Sequence, residues 1–366
     1  MGLLFSKIEN DENKVFEVPP DGRHYETLQD IQIVCDQITE KQEQLAEAAL
    51  SYNTYSELAT DRVSEAISNC KELRSLSCEK IYEGACEGEL IQSLDPLMRA
   101  CLNLPNLQRL NLGNNTLTEG AVDILAFFLQ NAACLKDLEL DHNLLGPQGA
   151  NRLADVMREA PDLKLQVFSI RANDIQDIGM VELALVFTHM KSLRKLCVAN
   201  NSIAHQGFVM LGKCLETNLK LQVIDFSDNF LNDKNCINSV RHSIQKLSYI
   251  TIIDLSDCLL GDFGVRTIVG ALACSNAFLR ELNIAYNEFE DIEAGETIVE
   301  LVHRKELLEV LDIRGNNIHP RCVSDIQRCN SSKENRITFL FKEPHPEDSL
   351  TTEHSEAALD VNPKIE

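Results

Sequence analysis

The stretch Leu135-Lys-Asp-Leu-Glu-Leu-Asp-His-Asn-Leu-Leu145 decides the fold of this chain. Leu138 and Leu140 alternate around a polar residue, which predicts a short strand with both leucines on its buried face. Asn143 follows where the chain leaves the strand, so its amide can bond backbone groups that would otherwise be buried and unpaired. The spacing LxxLxLxxNxL is typical of a leucine-rich repeat.

The same pattern recurs in register along the chain, with first positions that step by 28, 30, 28, 28, 29, 29 and 29 residues. A repeat of this length has room for a helix after each strand, and Ala150, Leu153, Ala154 and Met157 show the helical spacing. We therefore expect an α/β fold, a horseshoe solenoid with parallel concave strands and convex helices. The eight copies begin at Leu107, Leu135, Leu165, Leu193, Leu221, Ile250, Leu279 and Leu308.

Two details vary along the array. Cys258 replaces the consensus asparagine in the sixth copy, and a thiol is a weaker hydrogen-bond donor than an amide. A glycine precedes most expected helices, where it permits a positive φ or close packing at the helix entry. These glycines are Gly120, Gly149, Gly179, Gly207 and Gly264.

The ends of the chain depart from the repeat. We expect a flexible arm over residues 1–22, degenerate repeats with a helical cap over 23–100, the regular repeats and their C-terminal cap over 101–341, and a disordered acidic tail over 342–366. Within the degenerate part, residues 39–70 are rich in Glu, Gln and Ala and suggest helix. Further strands are expected on Leu28, Ile31 and Ile33, on Leu73, Leu76 and Cys78, and on Ile337, Phe339 and Phe341.

Composition excludes several functions. With 34 basic and 57 acidic residues the net charge is −23, which rules out a general nucleic-acid binder and suits a basic partner. No apolar run is long enough to span a membrane, and the 13 cysteines contain no CxxC pair, so we expect a reducing compartment and no metal site. Phosphate-binding loops, HExxH and nucleophile elbows are missing as well. The sequence predicts a cytoplasmic, monomeric protein-binding module without a cofactor or substrate chemistry of its own.

Three segments resemble the Ran GTPase-activating proteins. Residues 138–149 (LELDHNLLGPQG) are similar to that family's LxLxNNGLGPQ stretch, and residues 223–229 (VIDFSDN) to its VLDLxDN. Residues 254–261 (DLSDCLLG) share the family's cysteine in place of the repeat asparagine. The resemblance implies an activator in nucleocytoplasmic transport that docks on Ran bound to GTP and helps position the glutamine of the GTPase, without donating an arginine finger.

The sequence departs from the family at positions that the resemblance marks as functional. The family's asparagine before the consensus position falls on His142, and its loop arginine falls near Ala85. Its Gly-Arg-Asn-Arg loop reads Arg-Ala-Asn-Asp here, at residues 171–174, whereas Asp228 and Asp257 match. The resemblance therefore implies a diverged member with weakened activation.

Variable residues at the strand ends make the best binding-site candidate. The alternative to a GTPase activator is a scaffold without effect on hydrolysis, whose affinity ignores the nucleotide. Inhibition of a basic ribonuclease fits the charge but lacks the expected cysteine-rich repeat. The candidate partner-binding residues are Asp141, His142, Asn143, Arg171, Asp174, Asn200, Asp228 and Asp257.

The first residues, Met1-Gly-Leu-Leu-Phe-Ser6, fit the myristoylation pattern with Gly2 as acceptor. One acyl chain gives a membrane affinity on the order of 10⁴ M⁻¹, which is marginal without a second signal. No second signal is evident in the nearby sequence, because Lys7 and Lys14 are offset by acids. We expect at most a reversible, peripheral association with a membrane or with the nuclear envelope.

Overall fold

Short parallel strands alternate with helices along the whole array. The computed structural model describes residues 14–331 and 336–341. In that part, twelve strands form one parallel sheet in the order β1-β3-β5-β6-β7-β8-β9-β10-β11-β12-β13-β14, and β2 pairs with β4. The strands are β1 (Val15–Glu17), β2 (His24–Tyr25), β3 (Glu47–Ala49), β4 (Thr54–Tyr55), β5 (Ser75–Ser77), β6 (Arg109–Asn111), β7 (Asp137–Glu139), β8 (Val167–Ser169), β9 (Lys195–Cys197), β10 (Val223–Asp225), β11 (Ile252–Asp254), β12 (Glu281–Asn283), β13 (Val310–Asp312) and β14 (Thr338–Leu340).

A helix returns the chain after almost every strand, so the α/β horseshoe expected from the repeat is confirmed. None of the described helices is long and apolar enough to cross a membrane. The helices are α1 (Leu28–Lys41), α2 (Glu57–Ser68), α3 (Glu87–Leu102), α4 (Glu119–Asn131), α5 (Gly146–Arg158), α6 (Gln176–Phe187), α7 (His205–Thr217), α8 (Lys234–Ile244), α9 (Gly261–Cys274), α10 (Ile292–Arg304) and α11 (Pro320–Ser331).

The strands pair in strict register, which stacks equivalent residues of successive repeats in rows. Leu110 pairs with Leu138, and Leu138 pairs with Phe168. These middle residues are buried between sheet and helices, while their neighbours on either side point to the concave face. Position within a repeat therefore decides where a side chain lies.

The consensus asparagines form a buried hydrogen-bonded ladder. Asn201 Nδ2 donates to the carbonyls of Ile170, Val198 and Ala199, at 2.8, 3.1 and 2.9 Å. Its Oδ1 accepts from the backbone N–H of Asn173 at 3.0 Å. One side chain thus satisfies backbone groups of its own turn and of the preceding repeat, as the sequence predicted. Cys258 instead donates its thiol to the Phe226 carbonyl at 3.2 Å.

The chain leaves each repeat strand through a residue in the left-handed conformation. His142 has φ 53°, and its N–H donates to the Arg171 carbonyl at 2.7 Å; Asp228 has φ 60°, and its N–H donates to the Ser256 carbonyl at 2.9 Å. Non-glycine residues seldom adopt this region, and Asn, Asp and His tolerate it best. This row consists of Tyr52, Lys80, Asn114, His142, Ala172, Asn200, Asp228, Asp257, Tyr286 and Gly315.

The parallel strands give the horseshoe two distinct edges. Loops that follow the strands, with the left-handed row, form one edge, which we call the exit edge. Loops that lead from each helix into the next strand form the opposite edge, which we call the return edge. Any surface built from consecutive repeats therefore lies on the concave face, on the convex helices, or on one of these edges.

The N-terminal part differs from expectation. Residues 14–22 are not a free arm, because β1 pairs with β3 and Phe16 and Val18 are buried. Residues 1–13, with the acylation candidate Gly2, and the acidic tail 342–366 lie outside the described residues.

The strand expected on Leu28, Ile31 and Ile33 is wrong, because these residues lie in α1. Thr27 and Asp30 form a capping box: Asp30 N–H donates to Thr27 Oγ1 at 3.3 Å, and Thr27 N–H to Asp30 Oδ2 at 3.0 Å. That signature and the helical spacing of the buried side chains outweigh the short alternation of apolar residues.

The helix expected over residues 39–70 is also interrupted. Strands β3 and β4 lie in the middle of this stretch, so only its beginning, at the end of α1, and its second half, in α2, are helical. Asn53 follows β3 as the consensus asparagines follow theirs, and its Nδ2 donates to the Pro19 and Ser51 carbonyls at 3.1 and 3.0 Å. The strands expected near Leu76 and Phe339 are confirmed as β5 and β14.

Close packing explains the glycines near the helix starts. A Cβ on Gly179 would lie 2.6 Å from the Ala150 Cβ of α5, and one on Gly207 would lie 2.8 Å from Asp177 Oδ1 of α6. A Cβ on Gly149 would lie 3.4 Å from the Glu119 Cα of α4. These glycines lie within the first helical turn, so they let neighbouring helices approach rather than supply a positive φ.

Candidate protein-binding face

The concave face carries polar side chains in its central rows. A concavity of about 440 Å³ opens there, over strands β6 to β11, and reaches the exit edge at His142. Its carboxylates outnumber its cations, since Glu79, Glu139, Asp141, Asp225 and Asp254 face Lys80, Arg171 and Lys195. The face therefore suits a partner that presents positive charge.

Arg171 and Asp225 form an ion pair across the middle of the concavity. The pair joins Arg171, just after β8, to Asp225 in β10, and the repeat between them has the small residues Cys197 at the end of β9 and Ala199 just after it. Asp225 also accepts from Ser227 Oγ at 2.7 Å. The Arg171 guanidinium is thus held within the protein instead of projecting toward a partner.

Asp141 is fixed by the neighbouring repeat. Its Oδ1 accepts from Ser169 Oγ at 2.6 Å and from the Arg171 N–H at 2.7 Å. Burial raises the pKa of the Asp141 carboxyl, and these hydrogen bonds partly oppose the rise. Its position is therefore set before any partner arrives.

Glu139 lies among these carboxylates on the central row. Burial raises the pKa of Glu139 to about 7, and the nearby Asp141 charge adds to the rise while Lys195 opposes it. Burial similarly raises the pKa of Asp254 to about 6, with a further contribution from Asp225. A cationic group placed here would favour the ionised forms of both acids.

Replacing Glu139 with Gln is expected to raise the free energy of unfolding above pH 7 by about 1 kcal/mol. The ordinary glutamate pKa is 4.5, so between pH 4.5 and 7 the unfolded chain loses a proton that the native state keeps. Stability from this group is therefore highest at low pH and falls as the pH rises through that window. Urea unfolding at several pH values measures the difference. Glu306→Gln, at an exposed position, is the control, and equal pH slopes for wild type and Glu139→Gln would contradict the assignment.

Seven of the eight predicted binding residues occupy three different places on the surface. His142, Asn200, Asp228 and Asp257 lie exposed in the left-handed row of the exit edge. Asp141 and Arg171 each lie one residue before a member of that row, and they face the concavity. Asp174 is exposed further along its turn, where it accepts from Gln176 Nε2 at 3.1 Å.

Asn143 cannot serve as a contact residue. It is buried, its Nδ2 donates to the Leu112 and Leu140 carbonyls at 3.1 and 2.8 Å, and its Oδ1 accepts from the Asn115 N–H at 3.0 Å. The interpretation of Asn143 as partner-binding is corrected to a structural role in the ladder.

Three residues of the site were missed from sequence. Tyr52, Lys80 and Asn114 share the left-handed position with His142 and line the same concavity. Counting back from His142 in steps of one repeat reaches Asn114, but the degenerate spacing upstream hid the other two. Ala85, where the resemblance would place an arginine, packs against the hydrophobic core.

One group near the exit edge combines metal-ligand side chains. His205 Nδ1 lies 3.0 Å from Asp233 Oδ1, and Cys236 lies close by. Asp233 is the N-cap of α8, accepting from the Asn235 N–H at 2.8 Å, and the Cys236 thiol donates to the Asp233 carbonyl at 3.0 Å. Helix capping accounts for this arrangement without an ion.

Comparison with known proteins supports the repeat. A family model described as Leucine Rich repeat matches residues 275–292. The chain is 23% identical to Ran GTPase-activating protein 1 of Saccharomyces cerevisiae over 337 residues, which cover 87% of this chain and 82% of that protein. An internalin from Listeria monocytogenes aligns at 18% identity with a TM-score of 0.46, over 82% of this chain and 81% of that one.

Other relatives match over a shorter part. The ribonuclease inhibitor of Sus scrofa is 25% identical over 58% of this chain and 46% of its own length. The Ran GTPase-activating protein of Drosophila melanogaster is 26% identical over 58% of this chain and 36% of its own length. The chain thus spans less than half of these two relatives. The register of the sheet shows a leucine-rich repeat fold, and the family-model match over residues 275–292 agrees with it.

Proposed function

We propose that this protein binds a small GTPase of the Ran type in its GTP-bound form and stimulates hydrolysis by that GTPase. The observation that carries the proposal is the extent of the similarity to the yeast Ran GTPase-activating protein, which runs over 87% of this chain. A match over this share of the chain must extend beyond the eight regular repeats into the irregular N-terminal part.

The exit edge offers a suitable contact surface around His142. The left-handed backbone and the bond from its N–H to the Arg171 carbonyl fix the residue, while its side chain is exposed. Its neighbours in the row are Asn114 and the small Ala172. An imidazole held at this point can donate or accept a hydrogen bond to a glutamine amide of a docked partner.

The concave carboxylates supply attraction toward a basic partner. Glu79, Glu139 and Asp141 lie beside His142 in the same concavity. Fields of this kind raise association rates and suppress wrong partners, and they weaken as salt screens them. Docking is therefore expected to slow as ionic strength rises.

The geometry favours positioning over charge donation. Arg171 lines the concavity, but its guanidinium is paired with Asp225. In positioning catalysis the activator orders the attacking water through the GTPase's own glutamine, and the GTPase keeps the chemistry. The resemblance to Ran GTPase-activating proteins implies the same division of roles.

Affinity is expected to depend on the nucleotide, since only the GTP state orders the switch segments of a GTPase. Ran loaded with a non-hydrolysable GTP analogue should bind at least about tenfold tighter than Ran with GDP, a difference of roughly 1.4 kcal/mol. Titration calorimetry with both forms measures this preference.

The matched variants for that titration are His142→Ala and His189→Ala. His142→Ala should lose about tenfold in affinity for the GTP form, because it removes a central exposed contact. His189 is exposed on the return edge, so its replacement should change nothing. Equal affinity for both nucleotide forms would reject the activator proposal.

The second candidate function is a scaffold that binds another protein without changing its activity. Two replacements favour it, His142 where the family has asparagine and Ala85 where it has arginine. Under this reading Ran either does not bind or binds regardless of nucleotide, and hydrolysis is unchanged.

A further inference from the structure

The return edge differs in charge from the rest of the molecule. The loops that lead into β9, β10, β11 and β12 contain no aspartate or glutamate, although the chain has 57 acidic residues and a net charge of −23. These loops are residues 188–194, 218–222, 245–251 and 275–280. They carry five basic side chains: Lys191, Arg194, Lys220, Lys246 and Arg280.

The same loops expose large apolar side chains. Tyr249 is 61% exposed, Phe278 is 60% exposed and Leu219 is 48% exposed. Tyr249 and Phe278 each lie three residues before their strand, and neighbouring strands are about 5 Å apart, so the two residues occupy adjacent positions on the edge. The edge therefore presents a short apolar row flanked by cations.

Nearby acids neutralise the edge only in part. Lys246 Nζ lies 3.5 Å from Glu216 Oε2 on α7, and Arg280 Nη1 lies 3.5 Å from Glu309 Oε1. All four side chains are substantially exposed, and such surface pairs are weak and exchange with other anions. Acids become frequent only in the flanking loops, at Asp162 on one side and Glu306 on the other.

We propose that this return edge is a peripheral binding site for an anionic membrane surface. Lysine and arginine bind the negative headgroups, while Tyr249, Phe278 and Leu219 enter the boundary between headgroups and acyl chains. The apolar row favours a membrane as the partner. A nucleic acid or an acidic protein would need only the cations of the edge for its attraction. The site does not depend on the proposed GTPase function, and it leaves the opposite exit edge facing away from the lipid.

Vesicle sedimentation tests the charge requirement. The full chain with Gly2→Ala, which removes any acyl chain, should bind vesicles of equal parts phosphatidylcholine and phosphatidylserine but not phosphatidylcholine alone. Each lost cation is expected to lower binding about fivefold, so a Lys220→Gln, Lys246→Gln, Arg280→Gln variant should bind roughly a hundredfold more weakly. The matched control is the Arg62→Gln, Arg99→Gln, Arg328→Gln variant, which removes the same charge at exposed helical positions.

A tryptophan reporter tests insertion. Because the chain has no tryptophan, Phe278→Trp would be the sole source of tryptophan emission. Its emission should shift to shorter wavelength with the anionic vesicles. The matched Phe127→Trp, at a side chain 65% exposed on α4, should not shift.

Either of two results would overturn the proposal: no binding to the anionic vesicles, or equal loss in the two triple variants. A third outcome also overturns it, namely capture by soluble polyglutamate or heparin with no emission shift on vesicles. That outcome would assign the edge to an acidic macromolecule instead of a membrane.

Discussion

Ran is expected to hydrolyse GTP about a hundredfold faster with the His142→Asn variant than with the wild-type protein, under single-turnover conditions at saturating concentration. The resemblance to Ran GTPase-activating proteins places an asparagine at this position. A carboxamide presents a donor and an acceptor together, so it can hold the glutamine of the GTPase in one orientation. An imidazole in one tautomer has a single donor and a single acceptor on opposite sides of the ring.

The substitution is compatible with the backbone, because φ at His142 is 53° and asparagine tolerates this region well. The matched control is Tyr286→Asn, the same new residue at the same position of a distant repeat. Only His142→Asn should stimulate GTP hydrolysis by Ran more strongly than the wild-type protein does. If the wild type and His142→Asn both leave hydrolysis at the intrinsic rate while Ran still binds, the protein is a scaffold for the GTPase.

Asn201→Ala is expected to lower the free energy of unfolding by about 3–5 kcal/mol. The change removes one of the two donors to each carbonyl of Ile170, Val198 and Ala199, and it leaves the backbone N–H groups of Asn173 and Ile175 without their acceptor. These groups are buried, so water cannot replace the lost partners without opening the structure. Urea denaturation followed by circular dichroism measures the loss.

The neighbouring Asn200→Ala is the control. Asn200 is exposed in the left-handed row at φ 50°, so its replacement costs only the backbone preference, about 1 kcal/mol. The two variants differ by one position in sequence and lose the same chemical group. A similar loss in both would mean that the buried ladder contributes little to stability.

The repeat made most of the fold predictable. Leu110, Leu138 and Phe168 lie in one buried row because each occupies the same place in its copy, and no long-range information is needed to align them. Prediction failed where the pattern decays. At Ile31 the apolar residues fit two periods, and the capping box of Thr27 and Asp30 decides between them.

The site was harder to predict than the fold. Sequence position correctly separates the exposed His142 from the buried Leu140. It does not show which polar side chains already have hydrogen-bond or ion-pair partners within the protein. Asn143 and Arg171 appeared equally available in sequence. In the structure, the Asn143 amide is hydrogen-bonded to backbone groups of the repeats, and the Arg171 guanidinium forms an ion pair with an acid two strands away. The ion pair of Arg171 crosses the intervening repeat, where Cys197 and Ala199 are small, so it cannot be read from the repeat of Arg171 alone.

The single cysteine in the asparagine ladder has a consequence for how the molecule comes apart. In a linear chain of repeats, each unit is stabilised mainly by its two neighbours, so cooperativity is only as strong as the weakest junction. Cys258 gives the preceding repeat one thiol bond, to the Phe226 carbonyl, whereas Asn201 donates to the Ile170 carbonyl of its preceding repeat and accepts from the Asn173 and Ile175 N–H groups. Partial unfolding should therefore part the solenoid between β10 and β11, and each half would then behave as a separate cooperative block.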